Sequence, residues 1–161
     1  MMPTSLARIL LVDDDASDVR LATAVLEKLK LAPQVCVAHD GVTALDFLYA
    51  RGSYRDRPPG NPAVVVLDLK LPRLDGLDVL QQMRSDPSLR LIPVVVLTSS
   101  RRENDLRRAY ELGANGYVVK TIDFAATRAS LRALGEFWAV INEPPPGSLR
   151  RPKLVAKEQL P

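Results

Sequence analysis

The chain has 161 residues, a formal net charge of +3, 47% hydrophobic residues and a single cysteine. That length holds one domain with a real core and little beyond it. Lone Cys36 excludes an internal disulfide and fits a reducing, cytoplasmic setting. The first residues, MMPTSLAR, lack a signal-peptide apolar segment, and no apolar run reaches bilayer length, so no membrane role is expected. After Asn142 the basic residues Arg150, Arg151, Lys153 and Lys157 face only Glu143 and Glu158. That leaves +2 in the tail and +1 in the rest, which argues against a nucleic-acid surface.

Arg8 to Val12 is a short apolar run, read as a first strand, and it ends on Asp13, Asp14 and Asp15. Asp15 or Ser17 then caps a helix on which Val19, Ala22, Leu26 and Leu29 recur at helical spacing up to Lys30, before Ala32-Pro33 stops it. Gln34 to Ala38, the run that holds Cys36 as a buried inert thiol, is a second strand. Asp40-Gly41 turns into a second helix with Val42, Leu45, Leu48 and Tyr49 on one face. Arg51 to Pro62 is a loop by its turn residues. Ala63 to Leu67 is a continuous apolar run, β-branched at Val64, Val65 and Val66, that ends on Asp68 and is closed by Leu71-Pro72, the pattern of a strand buried on both faces. Asp75-Gly76 opens a third helix with Leu77, Leu80 and Met83 inward, and Ile92 to Leu97 is a fourth strand ending on Thr98, Ser99 and Ser100. Leu106, Ala109 and Tyr110 mark a fourth helix that stops at Leu112-Gly113. Gly116 to Val119 is a fifth strand ending on Lys120. A last helix from about Asp123 to Ile141 carries Phe124, Leu131, Leu134, Trp138 and Ile141 on one side. Strand followed by helix, repeated along the whole chain, predicts an α/β fold with a parallel sheet covered on both faces and right-handed crossovers. Residues 1–142 form that domain, and 143–161 read as a Pro-rich, basic, mobile tail.

In a doubly wound sheet the carboxyl ends of the strands share one rim. Asp13 and Asp14, Asp68, Thr98 and Lys120 all have that address. Crowded carboxylates repel unless a cation joins them, and hard oxygen ligands favour Mg²⁺. A carboxylate beside a divalent ion can attack phosphorus, and phosphoryl transfer needs its developing charge neutralised, which a metal and a lysine together supply. The set reads as an aspartyl-phosphate site with Asp68 as acceptor, Asp13 and Asp14 as metal carboxylates, Lys120 as counter-ion and Thr98 as reporter. Each residue taken alone has an ordinary reading as a helix cap or a solvated side chain; their recurrence on successive strand ends does not.

The segments ILLVDDD (9–15), VVVLDLKLPRLDG (64–76), VVVLTSS (94–100) and GYVVK (116–120) resemble the bacterial two-component response-regulator receiver domain over about residues 6–141. The resemblance implies a flavodoxin-like (βα)5 fold with strand order 2-1-3-4-5. It implies Mg²⁺ held by Asp13, Asp14, Asp68 and the Lys70 backbone carbonyl, and a phosphoryl group received on Asp68 from a histidine kinase. Thr98 and Tyr117 would be a switch pair, Tyr117 swinging inward as Thr98 turns toward the phosphoryl group. The loop GSYRDRPPGNP, the LDLKLPRLDG form of the acceptor motif and EFW near the end of the last helix are similar to single-domain regulators paired with bacterial phytochromes. That likeness implies a phytochrome-type kinase as partner and a homodimer through the fourth helix, fifth strand and fifth helix. No DNA-binding output domain is expected after Ile141.

One departure is Thr121, where receiver domains usually carry a proline whose cis bond aims the lysine. A cis bond before a non-proline residue costs about 2.5–4 kcal/mol, so Lys120–Thr121 is expected trans or strained, with a shifted loop after the fifth strand. The Lys70 side chain is expected in solvent rather than over the phosphoryl group, His39 is a surface turn residue, and one of Phe137 and Trp138 is core. The rival chemistry is a haloacid-dehalogenase-type phosphohydrolase with Asp13 as nucleophile in a D-x-D pair with Asp15, which leaves Asp68 unexplained. A third possibility is a degenerate receiver that works without phosphorylation.

Overall fold

The computed structural model describes residues 8–30 and 34–149. Its elements in chain order are β1 (Ile9–Val12), α1 (Ala16–Lys28), β2 (Val35–Ala38), α2 (Gly41–Leu48), β3 (Val64–Leu67), α3 (Gly76–Ser85), β4 (Val94–Thr98), α4 (Glu103–Glu111), β5 (Gly116–Val119) and α5 (Phe124–Gly135). All strand pairs are parallel and the sheet order is β2-β1-β3-β4-β5, as expected for the flavodoxin-like fold. Ends differ from the sequence reading by a residue or two, as helix and strand ends commonly do. The expected stop at Ala32-Pro33 lies outside the described residues.

The strand alternation divides the core. Leu10, Val12, Val65, Leu67, Val94 and Val96 face α2, α3 and α4. Ile9, Leu11, Val64, Val66, Val95 and Leu97 face α1 and α5. Both faces of β1, β3 and β4 are therefore covered, which is why those strands are unbroken apolar runs. The edge strands β2 and β5 are half-buried.

On α4 only Ala109 is buried, while Leu106 and Tyr110 are exposed. The last helix departs from its expected single face. On the last helix Leu131 and Leu134 face the core, whereas Phe124 and Ile141 stand in solvent. The physical reason for Ile141 is a change of winding: α5 ends at Gly135 and Glu136–Ile141 continues as a π-helix, which rotates the face of every later residue. Ala139 becomes the buried contact, Trp138 packs half-buried beside it, and Phe137 is exposed.

The start of the expected tail also packs. Arg8, buried before β1, donates to the Ala139 carbonyl at 2.6 Å, to Gln34 Oε1 at 3.2 Å and to the Leu149 carbonyl at 3.3 Å. Leu149 is buried and its N–H donates to the Asn61 carbonyl at 2.8 Å. Residues 143–149 thus lie against the end of the 51–62 loop. That loop is itself pinned by Arg57, whose guanidinium donates to the Phe47 and Leu48 carbonyls. Residues 150–161, where the mobile-tail reading falls, lie outside the described residues.

Two glycines are required by close approach. A Cβ on Gly41 would collide with the Leu74 carbonyl oxygen, and one on Gly76 with the Asp68 carbonyl oxygen. Gly76, the first residue of α3, donates its N–H to the Leu69 carbonyl at 2.8 Å, so α3 begins pressed against the end of β3. Gly76→Ala is expected to lower unfolding stability by about 2 kcal/mol or more, because backbone rather than a flexible side chain must move. Urea unfolding of the two chains measures this.

Candidate functional site

Strand register assembles the site. Val12 pairs with Leu67, so Asp13 and Asp68 leave adjacent strands at one level. Thr98 pairs with Val119, so Lys120 emerges one residue further on. Ladder-like bonds continue past the strand ends and hold these backbones: Asp13 N–H to the Ala38 carbonyl at 3.0 Å, Asp68 N–H to the Val12 carbonyl at 2.9 Å, and Lys120 N–H to the Thr98 carbonyl at 2.8 Å.

Lys120 Nζ donates to Asp13 Oδ2 at 2.7 Å, Asp18 Oδ2 at 2.8 Å and Asp68 Oδ2 at 2.9 Å. Asp13 is buried and Asp68 is only 9% exposed. Asp14 is exposed, yet one oxygen from each of Asp13, Asp14 and Asp68 lies within 4.8 Å of the others. Three oxygens at that separation, hard and open to solvent on one side, fit a divalent cation that keeps some of its water.

Electrostatics support the same conclusion. Burial works against the Lys120 charge, but its bonds to Asp13, Asp18 and Asp68 outweigh this and hold it protonated far above the ordinary lysine range. Asp13 moves upward from 3.8, first because of burial, although Lys120 and the Asp15 N–H pull it down and Asp68 pushes it up again. Within one ion pair, then, the lysine is driven toward its charged form and Asp13 away from its own. The lysine has more anionic partners than it needs, while Asp13 is buried and shares a single ammonium with Asp18 and Asp68. The rim is short of positive charge, and a cation would correct that.

Thr98 is fully buried at the end of β4, with the Ser100 N–H directed at its Oγ1 from 3.4 Å. Tyr117 packs half-buried against the α2–α3–α4 side and its hydroxyl donates to the Ser100 carbonyl at 3.0 Å. Lys70 is exposed; its N–H lies 3.4 Å from Asp68 Oδ1. No described peptide is cis, so Lys120–Thr121 is trans, and Lys120 still reaches Asp68. The loop after β5 is stitched by the Thr121 N–H donating to Thr127 Oγ1 at 3.2 Å. His39 is exposed, and burial pushes the Cys36 thiol up, leaving it a poor nucleophile. Asp15 accepts from the Ser17 and Asp18 N–H groups as the N-cap of α1. It is thereby taken out of the D-x-D pair that the phosphohydrolase reading needs.

Sequence reasoning missed Asp18 and the Ser100–Asp105 pair, whose hydroxyl-to-carboxylate bond is 2.6 Å long and ties the β4–α4 connection. An acidic residue in the first turn of a helix is ordinary there, so neither Asp18 nor Asp105 stood out.

A family model described as the response regulator receiver domain matches residues 9–132. The chain belongs to the response regulator receiver domain family. Among similar receivers, response regulator Rcp1 of Synechocystis sp. is 37% identical over 130 residues, 81% of this chain and 87% of that protein. The Mn²⁺-bound form of Rcp1 superposes with a TM-score of 0.79 at 36% identity, covering 85% of this chain and 97% of that one. The bacteriophytochrome response regulator RtBRR is 55% identical with a TM-score of 0.69, covering 89% and 86%. The phosphorylated cyanobacterial phytochrome response regulator RcpA is 34% identical with a TM-score of 0.79, covering 85% and 96%. Receiver membership does not favour the phosphohydrolase reading, and no helix among the described residues is long and apolar enough to cross a membrane.

The upward shift of Asp13 carries a sign. The folded chain binds more protons than the unfolded one between 3.8 and the raised value, so Asp13 costs stability above that window and nothing below 3.8. Metal-free Asp13→Asn is therefore expected to unfold at a higher temperature than the parent at pH 7, with the gain shrinking as pH falls toward 3.8. Thermal melts across pH in chelator give the answer.

Proposed function

We propose that the chain is a stand-alone response regulator that accepts a phosphoryl group on Asp68 from a histidine kinase in a Mg²⁺-dependent reaction. The observation that carries this reading is the convergence of Asp13, Asp14, Asp68 and Lys120 on one strand-end rim. Asp13, Asp14, Asp68 and the Lys70 backbone carbonyl would hold Mg²⁺. When bound, the ion neutralises charge on the transferring phosphoryl group. An Asp68 carboxylate oxygen forms the new bond to phosphorus as the P–N bond to the kinase histidine breaks, leaving an acyl phosphate and a free imidazole. Lys120 serves as counter-ion to the phosphoryl oxygens. The Thr98 hydroxyl turns toward one of them, and Tyr117 reads that turn through the Ser100 carbonyl it already holds.

The likeness to two proteins described as phytochrome response regulators supports a phytochrome-type kinase as phosphoryl donor. A homodimer through α4, β5 and α5 carries the signal onward by protein contact. Its support is the exposure of Leu106 and Tyr110 on α4 and of Phe137 and Ile141 beyond α5, beside the edge strand β5.

Incubation with Mg²⁺ and acetyl phosphate, followed by borohydride trapping and mass spectrometry, is expected to place the label on Asp68 and to lose it in Asp68→Asn. Label on Asp13 would identify the hydrolase chemistry, and no label in the parent chain would indicate a receiver that works without phosphorylation. For the assembly, sedimentation with and without beryllofluoride is expected to show a dimer; a monomer at high concentration in both states overturns it.

A further inference from the structure

We infer that Asp18 is a positioning residue for the phosphoryl-transfer site: it keeps Lys120 held at the rim when the metal and the phosphoryl group take the lysine's other two partners. The inference rests on the proposed function. A lysine ammonium has three N–H donors, and here each goes to a different carboxylate: Asp13, Asp18 and Asp68. Two of those belong to the reaction. Asp13 and Asp68 are members of the oxygen cluster that fits a divalent ion. Asp68 would also exchange its carboxylate for an acyl phosphate. Asp18 belongs to neither event and lies outside that cluster.

The local fold releases Asp18 for this task. It sits in the first turn of α1, where a carboxylate commonly bonds back to the N-cap N–H. Here the N-cap residue is Asp15, and its N–H donates instead to Asp13 Oδ1 at 2.9 Å. Asp15 in turn accepts the Asp18 N–H at 3.0 Å. The Asp18 backbone is therefore fixed by the cap while its side chain is left for Lys120. Half-buried Lys120 also sits where burial disfavours its charge, so an ammonium stripped of Asp13 and Asp68 needs a remaining anion. Asp18 is that anion, and it lets the lysine yield the metal oxygens without leaving the rim. Without it, Lys120 has only the metal's own ligands to pair with and competes with the ion for them.

The test is calorimetric titration of the full chain with Mg²⁺, together with the rate of acyl-phosphate formation from acetyl phosphate. Asp18→Asn is expected to weaken Mg²⁺ binding by about 10-fold and to slow acyl-phosphate formation. Asp18→Glu is expected to recover most of both. Asp15→Asn removes a neighbouring charge but keeps a good cap, and is expected to change Mg²⁺ affinity little. In a Lys120→Met background Asp18→Asn is expected to add nothing. Equal losses from Asp18→Asn and Asp15→Asn, or an Asp18→Asn loss that persists without Lys120, overturn the inference by making Asp18 a mere source of negative potential. Unchanged affinity in Asp18→Asn, with the parent binding Mg²⁺ normally, overturns the inference alone. A parent chain that binds no Mg²⁺ overturns the proposed function with it.

Discussion

The Lys120 ammonium and the carboxylates around it form the interaction on which the rim depends. Asp13 and Asp68 are brought together by the register of β1 against β3, and neither is free to move away, because backbone bonds past the strand ends hold both. Two largely buried carboxylates at one level would separate if they could. Lys120, delivered by β5, is the positive charge that makes the arrangement tolerable. It leaves the site negative on balance, with Asp13 still shifted upward by burial. A site in that condition is built to accept a further cation.

The same sheet explains how a chemical event at the rim can be felt elsewhere. Thr98 ends β4, Ser100 follows it, and the Tyr117 hydroxyl from β5 holds the Ser100 carbonyl. Ser100 Oγ meanwhile donates to Asp105 in the first turn of α4. Any displacement of the β4 end is therefore coupled by hydrogen bonds to β5 and to α4, which carries exposed Leu106 and Tyr110. At the opposite end of the sheet, Arg8 ties β1 to the residues that follow α5. The scaffold is thus tied together at one end by Arg8 and at the other by the Ser100 bonds to Tyr117 and Asp105.

Much of this was legible in the residues because the pattern was strong. The runs at 9–12, 64–67 and 94–97 are apolar without alternation, and only a strand covered on both faces needs that. The acidic cluster, the hydroxyls after β4 and the lysine after β5 could be placed on one rim because parallel strands all end on the same side. The helix surfaces were less legible. Phe124 and Ile141 share one side with Leu131 and Leu134 by spacing, yet spacing does not say which stripe a neighbour covers, and a π-helical stretch after Gly135 resets the phase. Asp18 was hidden for a different reason. An acid in a first helical turn is ordinary, and its partner lies 102 residues away in the chain.

Local chemistry by itself thus determined the α/β class and the meeting of Asp13, Asp68 and Lys120 on one rim, since each rests on residue types at strand ends and on the shared direction of parallel strands. The strand order followed from the motifs shared with receiver domains. Only the tertiary structure decided the rest. It showed that Lys120 divides its three donors among Asp13, Asp18 and Asp68, that the Tyr117 hydroxyl bonds the Ser100 carbonyl, and that residues 143–149 pack beside Arg8 and Asn61. These are contacts between side chains and segments far apart in the chain, and their choice of partner follows from distances that exist only once the sheet has closed.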